Sequence, residues 1–345
     1  MTYFKHLFNT RKTNDSFLCP LGAGLAMFIT LLFAIALDNT LIVTIGIMGT
    51  FSYLHFQYTS VKQNFIYILG HGVSLYLAFT LGILSSYKTE MIPFLISNIS
   101  FIGFITTKLF NVPKPDYFFI LMLFATGTNL KNTHNVLQTS HYLLYGILGA
   151  IISGIIISLL LKLPLNQQVK TNNKLSVQDK YYIMIYKDPD IILKALHFSS
   201  IIFCSAYLST LFNEQNGYWI LITSVAILGG ENMDDIKIRS HQRLIGSVVG
   251  LVLGVILINL HLPKIIIYLS VVLLNIGVVS FIPRNYAIAN FFTNPQILLL
   301  STLNSTSVNL LIVPYCLLTT LIGVFIVLIL MYLFDYGLSI SKKQY

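Results

Sequence analysis

Charge is what this chain has least of. Only 10% of its 345 residues are charged and 55% are hydrophobic, against about 25% charged in a soluble domain. So few charges cannot cover that much apolar surface in water, which excludes a soluble globular fold. Cysteine is also scarce: Cys19, Cys204 and Cys316 stand far apart, in or beside apolar runs. They read as small membrane-buried residues and form neither a disulfide framework nor a ligand set. No G-x-x-x-x-G-K-[ST] loop is present, so the usual means of using ATP is missing. No C-x-x-C, H-E-x-x-H or EF-hand pattern supports a metal, and no cofactor is implied. A signal peptide has no support either. The first apolar run, near 21–37, ends in LDNT without a small-residue cleavage pattern.

What the chain does have is apolar runs along its whole length. Hydropathy and polar punctuation place them near 20–37, 41–54, 65–84, 91–107, 117–127 and 141–161. After the polar stretch LPLNQQVKTNNKLSVQDK they resume near 193–212, 218–229, 244–260, 264–282, 287–300 and 307–334. The expected fold is all-α and polytopic, with twelve transmembrane helices as two six-helix repeats. Residues 1–162 form the first repeat, 163–190 a short cytoplasmic linker and 191–345 the second repeat. Two internal correspondences support the repeat: Gly70 falls opposite Gly246, and Tyr117 opposite Tyr286. An even number of crossings per half makes the halves run in the same direction, related by an axis along the membrane normal.

The cations test this count. With both termini cytoplasmic, Lys88, Lys131 and Lys264 lie outside and every other Lys and Arg lies inside. That is the asymmetry the positive-inside rule demands. The +9 net charge is therefore mostly topology. It points to the lipid bilayer as a partner, with no nucleic acid.

Spans two, five, eight and eleven are short. YWILITSVAILG has twelve residues, while ~30 Å of hydrocarbon takes about 20 helical residues. Short segments at matched positions of two halves point to a central transport site. The stretch RLIGSVVGLVLG, 243–254, opens the ninth span. Gly246, Gly250 and Gly254 line one helix face, and their main reading is a tight helix–helix seam. Arg243 has two readings that position does not separate: a side chain reaching for lipid headgroups, or one facing a cavity where it attracts a carboxylate.

A span with Trp219 and Thr223, followed by Arg243, Gly246, Ser247 and Gly250, resembles the fusaric-acid-resistance (FUSC) family. That family includes the aromatic acid exporters, and the plant aluminium-activated malate transporters are similar to it. Its pattern is Trp-x-x-x-Thr and then Arg-x-x-Gly-Thr-x-x-Gly; Ser247 stands at the second Thr. In the first half Tyr67 stands where the repeat wants Arg, and no Trp precedes the short span. Gly229 and Gly230 replace the common proline. The resemblance implies a bacterial inner-membrane exporter of aromatic or other organic acids, or passive anion conduction as in the plant branch. It also makes a homodimer plausible.

The expected function is therefore export of small organic anions from the cytoplasm, aromatic carboxylates first. Arg243 supplies the attracting charge, Trp219 and Thr223 lie near the pathway, and Lys194 and Arg239 serve an intracellular vestibule. A passive channel of the same fold is the runner-up, followed by a non-transporting envelope scaffold. His71 and His197 lie in or near spans and are candidates for proton coupling. A neutral ring bonded to a carbonyl is the favoured account of each. Asp38, Glu214 and Asp335 fall at span ends. Asp234 and Asp235, beside Lys237 and Arg239, give the one hint of an enzyme, a Mg²⁺–diphosphate site. The repeat-related loop LHFQYTSVKQ has no acid, so a charged cytoplasmic loop is the better reading and no enzyme is expected.

Overall fold

The computed structural model describes residues 16–130, 135–166, 176–182, 186, 190–212, 217–303 and 312–341. Lys131, Glu214, both termini and most of the linker lie outside them. Among the described residues the apolar segments are all helical. We label them α1 (Leu18–Ala36), α2 (Ile42–His55), α3 (Val61–Ser85), α4 (Ile92–Phe110), α5 (Phe118–Thr128) and α6 (Val136–Leu160). The series continues with α7 (Asp190–Leu211), α8 (Tyr218–Leu228), α9 (Met233–Asn259), α10 (Lys264–Phe281), α11 (Tyr286–Thr302) and α12 (Ile312–Ser341).

Eight of the described helices (α1, α3, α4, α6, α7, α9, α10 and α12) are long and apolar enough to cross a membrane. The chain is a multi-pass membrane protein. The other four are short. At 1.5 Å per residue the 11-residue α5 and α8 reach only about 16 Å, half the hydrocarbon thickness. α2 is broken within itself, passing from π-helix (Ile42–Gly46) through α (Ile47–Gly49) to 3-10 (Thr50–His55). α11 carries Pro295 in its interior, which removes one backbone donor.

Packing divides the chain into two compact units, each drawing on both halves of the sequence. The first takes its described residues from Met1–Thr80, Thr133–Gln167 and Ile238–Leu317. Its core joins Met27 and Leu31 of α1, Ile42 and Ile47 of α2, Val271 of α10 and Leu299 of α11. α2 meets α6 with almost no side chain between them: Gly46 and Gly49 lie against Gly146, where a Cβ would collide with backbone. Polar cross-links add to this packing. Ser153 Oγ donates to the Gly22 carbonyl (2.6 Å) and Asn64 Nδ2 to Ser158 Oγ (3.0 Å). Away from water such bonds replace a costly unpaired group.

The second unit takes its described residues from Leu81–Asn132, Gln168–Lys237 and Leu318–Tyr345. Here α7 packs along α4 and against α8, and α8 packs on α5. Edge-to-face rings join α4 to α7, Phe94 with Phe203 (5.1 Å) and Phe104 with Phe198 (5.3 Å). α8 is buried from Trp219 to Leu228. Ser205 Oγ of α7 donates to Ser224 Oγ of α8 (2.8 Å), and Gly323 of α12 lets that helix approach α8 at Ile220 and Thr223.

Candidate functional site

The two units carry separate constellations. In the first, α9 and α11 lie side by side because α9 presents glycines to α11. A Cβ on Gly246 would sit 2.6 Å from Asn290 Cβ, and one on Gly250 2.5 Å from the Asn290 carbonyl oxygen. A Cβ on Gly254 would sit 2.5 Å from Leu298 Cδ1. Backbone contact of this kind supplies packing energy between helices where lipid removes the hydrophobic drive. One turn before this seam stands Arg243, only 4% exposed. Its Nη1 donates to Asn290 Oδ1 (2.8 Å) and to the Tyr286 hydroxyl (3.1 Å), both on α11. Asn290 is held in turn by its Nδ2 on the Tyr286 carbonyl (2.8 Å), and Asn294 Nδ2 donates to the Gly246 carbonyl (3.3 Å). Arg239 lies 5.7 Å from the centre of the Tyr286 ring.

This geometry bears on the two accounts of Arg243. The guanidinium is buried and turned onto α11, where the Asn290 and Tyr286 oxygens accept from it.

The five residues expected to bind substrate are divided between the units. Arg243 and Arg239 belong to the first and meet at Tyr286. Trp219, Thr223 and Lys194 belong to the second. Trp219 and Thr223 are buried on α8, with Thr223 Oγ1 lacking a hydrogen-bond partner, while Lys194 is exposed on α7. Asp38 and Asp335 are exposed, as expected of span ends.

His71 of α3 is buried and stacks face to face on His55, at the end of the broken α2, with ring centres 3.7 Å apart. His71 Nε2 and His55 Nδ1 are both buried without hydrogen-bond partners. His197 stacks on Phe334 (3.9 Å), and its Nε2 also lacks a partner. The carbonyl bond expected to explain each histidine is thus absent at Nε2. His55 was not anticipated: nothing in LHFQ marks it, because the contact is with a helix sixteen residues on.

The second unit holds a constellation that the sequence did not single out. α4 ends at Phe110, and the segment to α5 turns twice through left-handed backbone, at Asn111 (φ 50°) and Asp116 (φ 39°). The segment after α8 does so at Glu231 (φ 65°). Left-handed backbone at a non-glycine residue costs of order 1–2 kcal/mol and tends to collect at functional positions. These turns bring Lys108 Nζ to 2.5 Å from Glu231 Oε2 and Lys114 Nζ to 3.3 Å from Oε1. Lys114 Nζ also donates to the Gly229 carbonyl (2.7 Å).

Burial alone would raise the Glu231 pKa, but the hydrogen bond from Lys108 and the charges of Lys114 and Lys108 outweigh it and hold the carboxyl below its usual range. Asp116 goes the other way. Its burial raises the pKa, Lys114 opposes this, and the nearby Glu231 adds to the rise. The cluster edges a small cleft of about 20 Å³, walled by Phe104, Tyr117 and Phe118. The lysines had entered the sequence reading as topology markers; only the fold shows that they share one carboxylate.

Residues 203–330 match a family model described as fusaric acid resistance protein-like. An uncharacterized protein of Haemophilus influenzae (strain ATCC 51907 / DSM 11121 / KW20 / Rd) is 33% identical over 106 residues, 30% of this chain and 14% of that protein. The chain therefore covers only a small part of that relative's length. No solved structure matches the chain.

Proposed function

We propose that the chain exports small organic anions, aromatic carboxylates first, across a bacterial inner membrane. Arg243 is the attracting charge. The observation that carries this reading is the burial of that guanidinium inside a membrane helix, held by two neutral side chains of α11. The family matched by residues 203–330 points to the same class of function.

The transport body has twelve crossings in two like-oriented halves, with both termini cytoplasmic. One observation supports the short helices as crossings. If α2, α5, α8 and α11 did not cross, Lys62, Lys108, Lys114, Lys237, Arg239, Arg243 and Arg284 would all move outside, and the cation asymmetry would be much weaker. The repeat draws support from equivalent packing. α4 lies along α7 in one unit, and their counterparts α10 and α1 pack together in the other. The homodimer is part of the same proposal, with contacts unassigned.

The test is release of benzoate from proteoliposomes with membrane potential clamped, with and without a pH gradient. Saturable release that accelerates with the gradient supports a proton-coupled exporter. Release that follows only the anion's electrochemical potential makes the chain a channel. If no organic acid is released, or if Arg243→Ala leaves rate and apparent affinity unchanged, the reading fails.

A further inference from the structure

The cleft of the second unit is chemically complete for one kind of ligand. The ammonium group of Lys108 lines it, that of Lys114 reaches the lining residue Glu231 from beside it, and three aromatic rings form its wall. Lys108 Nζ stands 5.4 Å from the centre of the Phe104 ring, and that ring packs edge-to-face with Tyr117 at 6.3 Å. An aromatic ring with a carboxylate on it would match both features, its face against the rings and its oxygens on the lysines. The place for those oxygens is already taken by Glu231, one oxygen to each lysine. Glu231 is held there by a left-handed backbone, and the Lys114 side of the pair is half exposed. An exposed ion pair is a weak tie that a competing anion can break.

The geometry points to a binding site for an aromatic carboxylate in this cleft, with Glu231 as a built-in competitor that the ligand displaces from Lys108 and Lys114. The substrate class rests on the proposed export of organic anions; the lysine–carboxylate exchange rests on the cleft. With Glu231 in place the cleft is narrow, so ligand entry and release of Glu231 are one event. The site is a loading step at the cytoplasmic mouth, separate from Arg243. The binding is purely non-covalent, with one carboxylate replacing another.

The experiment is titration calorimetry of benzoate on the purified full-length chain in nanodiscs, for wild type, Glu231→Gln and the Lys108→Gln/Lys114→Gln double variant. Glu231→Gln removes the competitor and keeps the shape, and tightens benzoate by up to about fivefold, the order set by one screened ion pair. The double lysine variant loses the binding. Acetate and inorganic phosphate, which have no ring, bind Glu231→Gln at least about tenfold more weakly than benzoate. Unchanged or weaker binding by Glu231→Gln overturns the proposal, as does retention by the double variant or equal affinity for acetate. Proteoliposome flux separates this from the export reading. Benzoate release unaffected by the lysine substitutions removes the cleft from the route and leaves export standing. The expected binding pattern without flux from any variant keeps the site and removes export.

Discussion

Replacing Gly246 by alanine tests the coupling between the α9–α11 seam and the Arg243 site. The added Cβ would fall 2.6 Å from Asn290 Cβ and 2.9 Å from the Ala287 carbonyl oxygen. Neither is the end of a flexible side chain that can swing away. To restore ordinary contact near 3.5 Å, the helices must part by roughly 1 Å. Over-packing of this size costs about 1–3 kcal/mol, against a helix-propensity gain of about 1 kcal/mol. The net loss is up to about 2 kcal/mol, a factor of up to roughly 30 in the unfolding equilibrium. The same displacement would stretch the Arg243–Asn290 bond, now 2.8 Å, past the ~3.5 Å at which it ceases to be a hydrogen bond. At Gly70 on α3, which the proposed repeat pairs with Gly246, an added Cβ would meet nothing within 4 Å, so Gly70→Ala is the matched control and gains stability. The assay is denaturant unfolding in detergent followed by benzoate flux. Gly246→Ala should unfold more readily than wild type and raise the apparent KM, while Gly70→Ala does neither. If both alanines behave alike, glycine-mediated approach is not what sets the Arg243 geometry.

Three further outcomes are expected. Arg243→Lys keeps a charge but loses the planar fork that reaches Tyr286 and Asn290, so in flux assays it should retain direction while weakening apparent affinity by about tenfold, and Arg243→Gln should weaken it further; equal behaviour of the two variants would mean that charge plays no part. As pH falls from neutral toward the ordinary carboxylate range, Asp116, with its raised pKa, takes up a proton first, while Glu231, with its lowered pKa, stays ionised. The cleft then loses a negative charge, and binding of benzenesulfonate, which does not titrate there, should tighten until the pH passes below the usual carboxylate value; affinity that is flat over this window refutes the assignment to Asp116. Should the stacked His55–His71 pair carry a coupling proton, His71→Asn will abolish acceleration by a pH gradient and leave potential-driven flux in place, whereas unchanged acceleration places the proton elsewhere.

Most of the fold was legible in the sequence because membrane burial writes itself in long apolar runs and lopsided lysines. Among the described residues each run is helical, and the short ones remain short. The glycine face of α9 could be read from its four-residue spacing, though the partner could not, since nothing in 243–254 names α11. Arg243 was visible as a charge at the start of a span, but its direction depended on Asn290 and Tyr286, more than forty residues away. The same distance hid His55, whose only distinction is the ring it meets. Lys108 and Glu231 are 123 residues apart and sit on loops that look like ordinary cytoplasmic turns. Local pattern reports what a segment does with lipid, while site chemistry is decided by which loop ends are brought together.

In the proposed repeat, Tyr67, which is 39% exposed, falls at the position of Arg243, and Gly70, where an added Cβ would meet nothing within 4 Å, falls at that of Gly246. On that pairing the first half has neither the buried cation nor the packed glycine seam, as expected if the seam serves to hold the guanidinium against α11. Introducing Tyr67→Arg alone should therefore not create a second site, because the new side chain would have no glycine-seated partner and would turn to solvent or headgroups. Benzoate flux and affinity should stay at the wild-type level in Tyr67→Arg. An increase in either would show that charge alone suffices, and that the α9–α11 seam is packing with no functional role.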